Sequence, residues 1–195
     1  MTNLRDAVLR KCRESVSTKE QFFAAEADRI VACCRAMAEA FDRGARLFAF
    51  GNGGSACDAE HVAVEFMHPI FARRPALPAL TLAAPALVTA VANDQDFALV
   101  FARQLRVLAR KGDVALAIST SGQSANVNRG LAAARELGML TVGFTGRDGG
   151  RLAELCDHAF TVPSFSIHRI QETHETLLHV VWDLIHVIRG EEDVI

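Results

Sequence analysis

The sequence predicts an α/β protein, a sandwich of helices around a mostly parallel sheet. Short apolar runs alternate with helical stretches of roughly 10–15 residues, the pattern of strands joined by helical crossovers. Two of those runs, Leu47–Phe50 and Val114–Ile118, stop in glycine- and serine-rich loops that open straight into helical patterns. At 195 residues the chain is long enough to bury one substantial core.

Taken in order, residues 3–43 read as helix. Leu4, Val8 and Cys12 recur at four-residue spacing, and Ile30, Cys33, Cys34, Met37 and Phe41 follow the helical period with charges between them. Ser15 to Lys19 predicts a break or a phase shift, and Gly44 a stop. Leu47–Phe50 is a strand closed by Gly51, and residues 56–67 are helix. Leu77–Leu82 and Ala86–Ala92, cut by Pro75, Pro78 and Pro85, are candidate strands or short connectors. Phe97–Ala109 reads as helix, Val114–Ile118 as a buried strand, and Ala125–Leu137 as the next helix. Met139–Phe144 is a strand, GRDGG turns into a short helix, and Ala159–Val162 is a strand ending at Pro163. The tail, about 168–189, is a long amphipathic helix that packs through Ile170, Leu177, Leu178, Val181, Trp182 and Ile185. His186 is expected as a satisfied histidine at a subunit contact.

Composition excludes several functions. A formal charge of -2 gives no nucleic-acid footprint. No run of about 18 apolar residues predicts a membrane span. The polar start MTNLRDAVLRK lacks a signal-peptide core, and the five cysteines are odd in number without a CxxC pair. A reducing, cytoplasmic setting is the expectation.

The chemistry begins at the two loops. GNGGSAC and STSGQSAN each lie between the end of a sheet strand and the start of a helix. Unpaired backbone N–H groups and the helix dipole suit an anion there, and Ser55, Ser119, Thr120, Ser121 and Ser124 add hydroxyl donors. Either loop alone also reads as a tight turn with an N-cap. Two at the same topological position point to phosphate. GNGGSA completes no G-x-G-x-x-G, and neither loop has the lysine of a nucleoside-triphosphate loop, so a small phosphorylated molecule fits better than a nucleotide.

One helical turn after the first loop come His61 and Glu65, four apart and on one face. Such a pair can hold a divalent metal or move a proton, although alone it is an ordinary surface pair. In the last helix Gln171, Glu175 and His179 step round by four. Periodicity does not choose among Gln171, Glu172 and Glu175 as partners of His179.

GNGGSACDAEHVAVEF, VANDQDF, GDVALAISTSGQSANV, GMLTVGFTGRDGG and RIQETHETLLH occur in that order. Together they resemble the sugar isomerase (SIS) domain and, within it, the bacterial phosphoheptose isomerases. The resemblance implies one domain over residues 1–195, a three-layer sandwich with a five-stranded parallel sheet between helices. It implies homotetramers with active sites at subunit interfaces and interconversion of sedoheptulose 7-phosphate with a heptose 7-phosphate through an enediol. Carried over by residue, Ser119, Thr120, Ser121 and Ser124 hold the phosphate. Asn52, Gly53 and Ser55 line the sugar side, with Asn93 and Asp94 nearby. Glu65 and His179 match the catalytic pair. His61, Glu65, Gln171 and His179 match the set that holds one zinc per subunit, so Gln171 is the expected ligand rather than Glu172 or Glu175.

Three positions in two segments depart from the family pattern. His68 and Pro69 stand where a glycine-arginine pair is expected, and His168 stands where many members have aspartate. Arg73 and Arg169 are candidates to compensate. Two other roles share much of the sequence pattern, a noncatalytic SIS protein that regulates replication initiation through protein contacts and a phosphosugar sensor. The four residues His61, Glu65, Gln171 and His179 favour turnover over both.

Overall fold

The computed structural model describes residues 3–71 and 73–194. Its sheet comprises β1 (Leu47–Gly51), β2 (Ala79–Thr81), β3 (Val114–Ser119), β4 (Leu140–Gly146) and β5 (His158–Val162). They lie in the order β2-β1-β3-β4-β5, and every neighbouring pair is parallel. Parallel neighbours need crossovers, and here helices supply them. The crossovers are α2 (Gly54–Met67), α3 (Pro85–Asp94) and α4 (Val100–Leu108) with a 3₁₀ turn at Phe97–Leu99 between them, α5 (Ala125–Glu136) and α6 (Gly150–Leu155), while α1 (Leu4–Asp42) precedes β1 and α7 (Ile167–Ile188) follows β5.

The period-2 pattern of the strands divides the core into two layers. Leu47 and Ala49 of β1, with Val114, Leu116 and Ile118 of β3, face α1, α2 and α7. Phe48 and Phe50, with Ala115 and Ala117, face α4 and α5. The architecture is the three-layer α/β sandwich with a five-stranded parallel sheet that the resemblance implied. All six packing positions expected on α7 are buried.

Two expectations are corrected. No break occurs at Ser15–Lys19, because α1 runs unbroken for 39 residues, about 58 Å. The Thr18 hydroxyl donates back to the Glu14 carbonyl, and Arg10 pairs with Glu14 across one turn. Polar residues here satisfy themselves within the helix instead of ending it. Ala86–Ala92 is neither strand nor connector but the body of α3. Pro85 occupies its first turn, where a missing N–H leaves no bond unmade and the fixed φ initiates the helix. The early apolar residues of α1, Leu4 and Val8, project into solvent at 79% and 66% exposure.

His186 is a third correction, since it lies wholly inside the subunit rather than at a contact between subunits. Neither of its ring nitrogens has a hydrogen-bond partner among the described residues. His174 is equally buried, and its Nε2–H donates to the Thr145 carbonyl at 3.0 Å, fastening α7 to the end of β4. Burial pushes the His174 pKa down to about 4, and burial beside Arg74 and Arg189 does the same to His186. Below the ordinary value of 6.5 the unfolded chain therefore takes up protons that the folded chain resists. Stability from these two neutral rings is complete above pH 6.5 and declines as pH falls toward about 4. Urea midpoints measured across that range should drop with acidity. A midpoint that stays level to pH 4 contradicts the assignment.

Candidate active site

Strand order changes direction at β1, whose chain continues to β2 on one side while β3 lies on the other. The loops leaving the carboxyl ends of β1 and β3 thus meet at a topological switch point, where open α/β sheets bind ligands. Asn52 and Asn126 join them through two reciprocal amide hydrogen bonds of 2.8 Å each. Gly51 lets the backbones approach this closely. A Cβ there would come within 2.6 Å of the Ser55 carbonyl and 2.8 Å of the Ile118 carbonyl. Gly53 turns the chain into α2 at φ +55, and neither α2 nor α5 has a side chain capping its first N–H groups. Ser119 is buried at the end of β3, and its hydroxyl meets that of Ser124 at 3.2 Å. Thr120 and Ser121 are half-buried between them, while Ser55 is buried in the first turn of α2.

The second feature is the seam between α2 and α7. Gly54, Asp58, His61 and Glu65 fall on one face of α2, and Gln171, Glu175 and His179 on one face of α7. The Gln171 amide lies where a Cβ on Gly54 would stand, which places Gln171 against the start of α2. His61 Nε2 lies 3.2 Å from Glu65 Oε1, and the His61 and His179 rings meet edge to face with centroids 4.9 Å apart. Ligand atoms of His61, Glu65 and His179 all lie within 4.8 Å of one another, a possible metal-binding group. On the far side of His61, Nδ1 is 2.7 Å from Glu175 Oε1.

Among the expected site residues, then, His61, Glu65 and His179 converge, and Gln171 lies on the same seam against Gly54. Asn93 and Asp94 sit exposed at the end of α3, where the Asn93 amide donates to Asp94 Oδ1. Arg169 is engaged elsewhere, with Glu172 and the Lys11 carbonyl, and Arg73 is exposed. His68 caps the end of α2 and His168 opens α7, both exposed.

Two residues that sequence reasoning did not single out, Asn126 and Asp58, join the site: Asn126 ties the loops. Glu175, which it weighed as a partner of His179, lies against His61. Asp58 stands half-buried on the same stripe, its Oδ2 without a hydrogen-bond partner among the described residues. Burial, then the neighbouring Glu175 carboxylate, raises the Asp58 pKa to about 6, against the opposing pull of His61. Its spacing of three before His61 was the available signal.

A doubly wound α/β fold with Gly/Ser loops at its carboxyl edge and a histidine–carboxylate cluster on the α2–α7 seam defines the class. The chain belongs to the SIS domain family, which matches residues 12–146, and within it to the phosphoheptose isomerases. It is 46% identical to the phosphoheptose isomerase of Desulfovibrio desulfuricans, over 92% of this chain and 86% of that one. Its identity to that of Thermodesulfovibrio yellowstonii is 40%, over 96% and 94%. The solved phosphoheptose isomerase of Neisseria gonorrhoeae superposes with a TM-score of 0.88 at 36% identity, covering 94% of this chain and 98% of that one.

The paired amides make the two loops one unit. Asn126→Ala strips the Asn52 amide of its partner and should lower unfolding free energy by about 1–3 kcal/mol. Calorimetric titration with a phosphosugar should show weaker binding in the same variant. Unchanged stability together with unchanged binding contradicts the coupling of the loops.

Proposed function

We propose that the protein is an aldose–ketose isomerase that interconverts sedoheptulose 7-phosphate and D-glycero-D-manno-heptose 7-phosphate in heptose biosynthesis. The observation that carries this reading is the convergence of Glu65, His61 and His179 on the seam between α7 and the helix that leaves the first switch-point loop. The names of the relatives in D. desulfuricans and N. gonorrhoeae support the choice of sugar.

In this reading the phosphate binds Ser119, Thr120, Ser121 and Ser124, whose hydroxyls and adjacent helix N–H groups donate to its oxygens. Asn52, Gly53, Ser55, Asn93, Asp94 and Gln171 contact the sugar chain. Isomerisation moves one proton between adjacent carbons and another between their oxygens. That requires a base over the carbon and an acid at the carbonyl. Glu65 and His179 share those transfers, the carboxylate accepting and returning a proton while the imidazole serves the oxygen end. Glu65 Oε1 is turned toward His61.

The donor set fits zinc. Two imidazoles and a carboxylate are ordinary zinc ligands, and bonds of about 2.0–2.2 Å at tetrahedral angles separate ligand atoms by about 3.3 Å. The His61–Glu65 separation of 3.2 Å matches that edge. His61, Glu65 and His179 would hold the ion, with the Gln171 carbonyl as the fourth ligand. Bound there, zinc supplies a Lewis acid that polarises the substrate carbonyl.

The assembly proposed is a cytoplasmic homotetramer, with one zinc per subunit and the sites at subunit interfaces. The exposed Leu4, Val8 and Val16 of α1 supply an apolar face for a second copy, and Glu65 and His179 are 20% and 39% exposed in the single chain. Among the described residues no helix is long and apolar enough to cross a membrane.

Purified protein is expected to convert sedoheptulose 7-phosphate. Glu65→Gln and His179→Ala should each lower kcat by about 10²–10⁴-fold while the oligomer persists. A wild-type protein that turns over no phosphosugar defeats the proposal, and the sensor or protein-contact role then takes its place.

A further inference from the structure

We propose a second binding site on the outer side of the 119–124 loop, a cavity that takes a phosphate ester carrying a free hydroxyl. It is separate from the proposed active site and stands whether or not the seam carries isomerisation.

The first observation is a buried acceptor. Asn128 is 8% exposed, and its Nδ2 donates to the Gly122 carbonyl at 3.1 Å. A carbonyl only accepts, so that bond fixes which end of the amide is which. Oδ1 is the other end, buried and without a hydrogen-bond partner among the described residues. Such an oxygen is costly to leave unpaired, and a donor from outside the chain removes the cost.

The second observation is the space beside it. Asn128 lines a cavity of about 330 Å³ with Gln123, Ala125, Arg129, Ala132 and Arg151. Ala125, Asn128, Arg129 and Ala132 form one stripe of α5, and the two alanines leave room between the longer side chains. The volume lies at the lower end of small-molecule sites, which run from about 300 to 1,000 Å³.

Charge then selects the ligand. Two guanidinium groups line the cavity and no acidic side chain does. Arg129 stands 3.8 Å from Asp96 with both side chains more than half exposed, where water screens the pair. Asp148 and Glu154 line the adjoining groove beyond Arg151, and neither forms an ion pair with it among the described residues. Paired arginines favour an oxyanion, and phosphate takes charge-assisted, often bidentate bonds from them. The Asn128 oxygen repels a bare anion, so the ligand must also bring an O–H. A phosphate ester of a polyol meets both demands.

None of Ser119, Thr120, Ser121 and Ser124, the residues proposed to hold the substrate phosphate, lines this cavity. The two sites share the loop instead. Gly122 sits within it at φ +64, its N–H donating to the Ser119 carbonyl. Its own carbonyl accepts from Asn128 and from the Leu152 N–H. An occupant bonded to Asn128 is one side chain away from the backbone of that loop.

The test combines a structure with a titration of the full chain. Crystals grown with glycerol 3-phosphate should show its phosphate between Arg129 and Arg151 and a hydroxyl on Asn128 Oδ1. Both arginines are exposed, so Arg129→Gln/Arg151→Gln leaves the core and the serine loop in place. Calorimetry should find glycerol 3-phosphate binding to the cavity weakened about tenfold or more in that double variant. Methyl phosphate, equal in charge but without a hydroxyl, should bind the cavity about fivefold more weakly than glycerol 3-phosphate. Phosphate found only on the Ser119–Ser124 loop overturns the proposal. A cavity filled at crystal concentration only, with calorimetry unchanged in the double variant, also overturns it. So does equal binding of the two esters, because the hydroxyl then has no partner at Asn128.

Discussion

Everything at this site depends on β1 and β3 lying side by side and parallel. Their register runs from Leu47 opposite Val114 to Gly51 opposite Ile118, so both strands deliver their following loops to the same edge at the same height. The sheet order then sends α2 to one face and α5 to the other. Two uncapped helix starts consequently converge on one crevice, with Asn52 and Asn126 clasped across it. Gly51 permits this approach. Any side chain there would strike the Ser55 and Ile118 carbonyls.

The half of the site proposed to carry the proton transfers follows from the same topology. A helix that leaves β1 at the switch point must cross the sheet face, and α7 returns across that face from β5. The two run side by side, with the Gln171 amide lying against Gly54. Charge then governs the seam. Asp58, Glu65 and Glu175 place three carboxyl groups around two imidazoles, and crowding by burial and Glu175 is what raises the Asp58 pKa to about 6. A cluster so rich in acceptors is suited to a cation and to proton exchange, the two demands of moving hydrogen beside a carbonyl.

The strands and the loops were legible in the sequence because each obeys a local rule. β1 and β3 are short continuous apolar runs, and glycine and serine mark the place where each strand becomes a helix. The stripe of His61 and Glu65 was legible for the same reason. What lay beyond local rules was pairing between distant segments. Glu175 and Gln171 occupy equivalent places in the period of α7, and only the register of α7 against α2 sets Glu175 beside His61 and Gln171 beside Gly54. Asn126 meets Asn52 across 74 positions, which no spacing announces. The misreadings at Ser15–Lys19 and Ala86–Ala92 arose from treating polar residues and prolines as breakers. In α1 the polar side chains bond within the helix, and in α3 the proline sits at the start.

The central claim is that one phosphosugar spans both halves, its phosphate on the β3–α5 loop and its reacting carbons at the α2–α7 seam. A crystal structure of the Glu65→Gln protein with sedoheptulose 7-phosphate tests it most directly. The account predicts phosphate oxygens within hydrogen-bonding distance of Ser119, Thr120, Ser121 and Ser124, with the carbonyl end beside residue 65 and His179. Phosphate bound elsewhere, or a carbonyl end turned away from the seam, contradicts it.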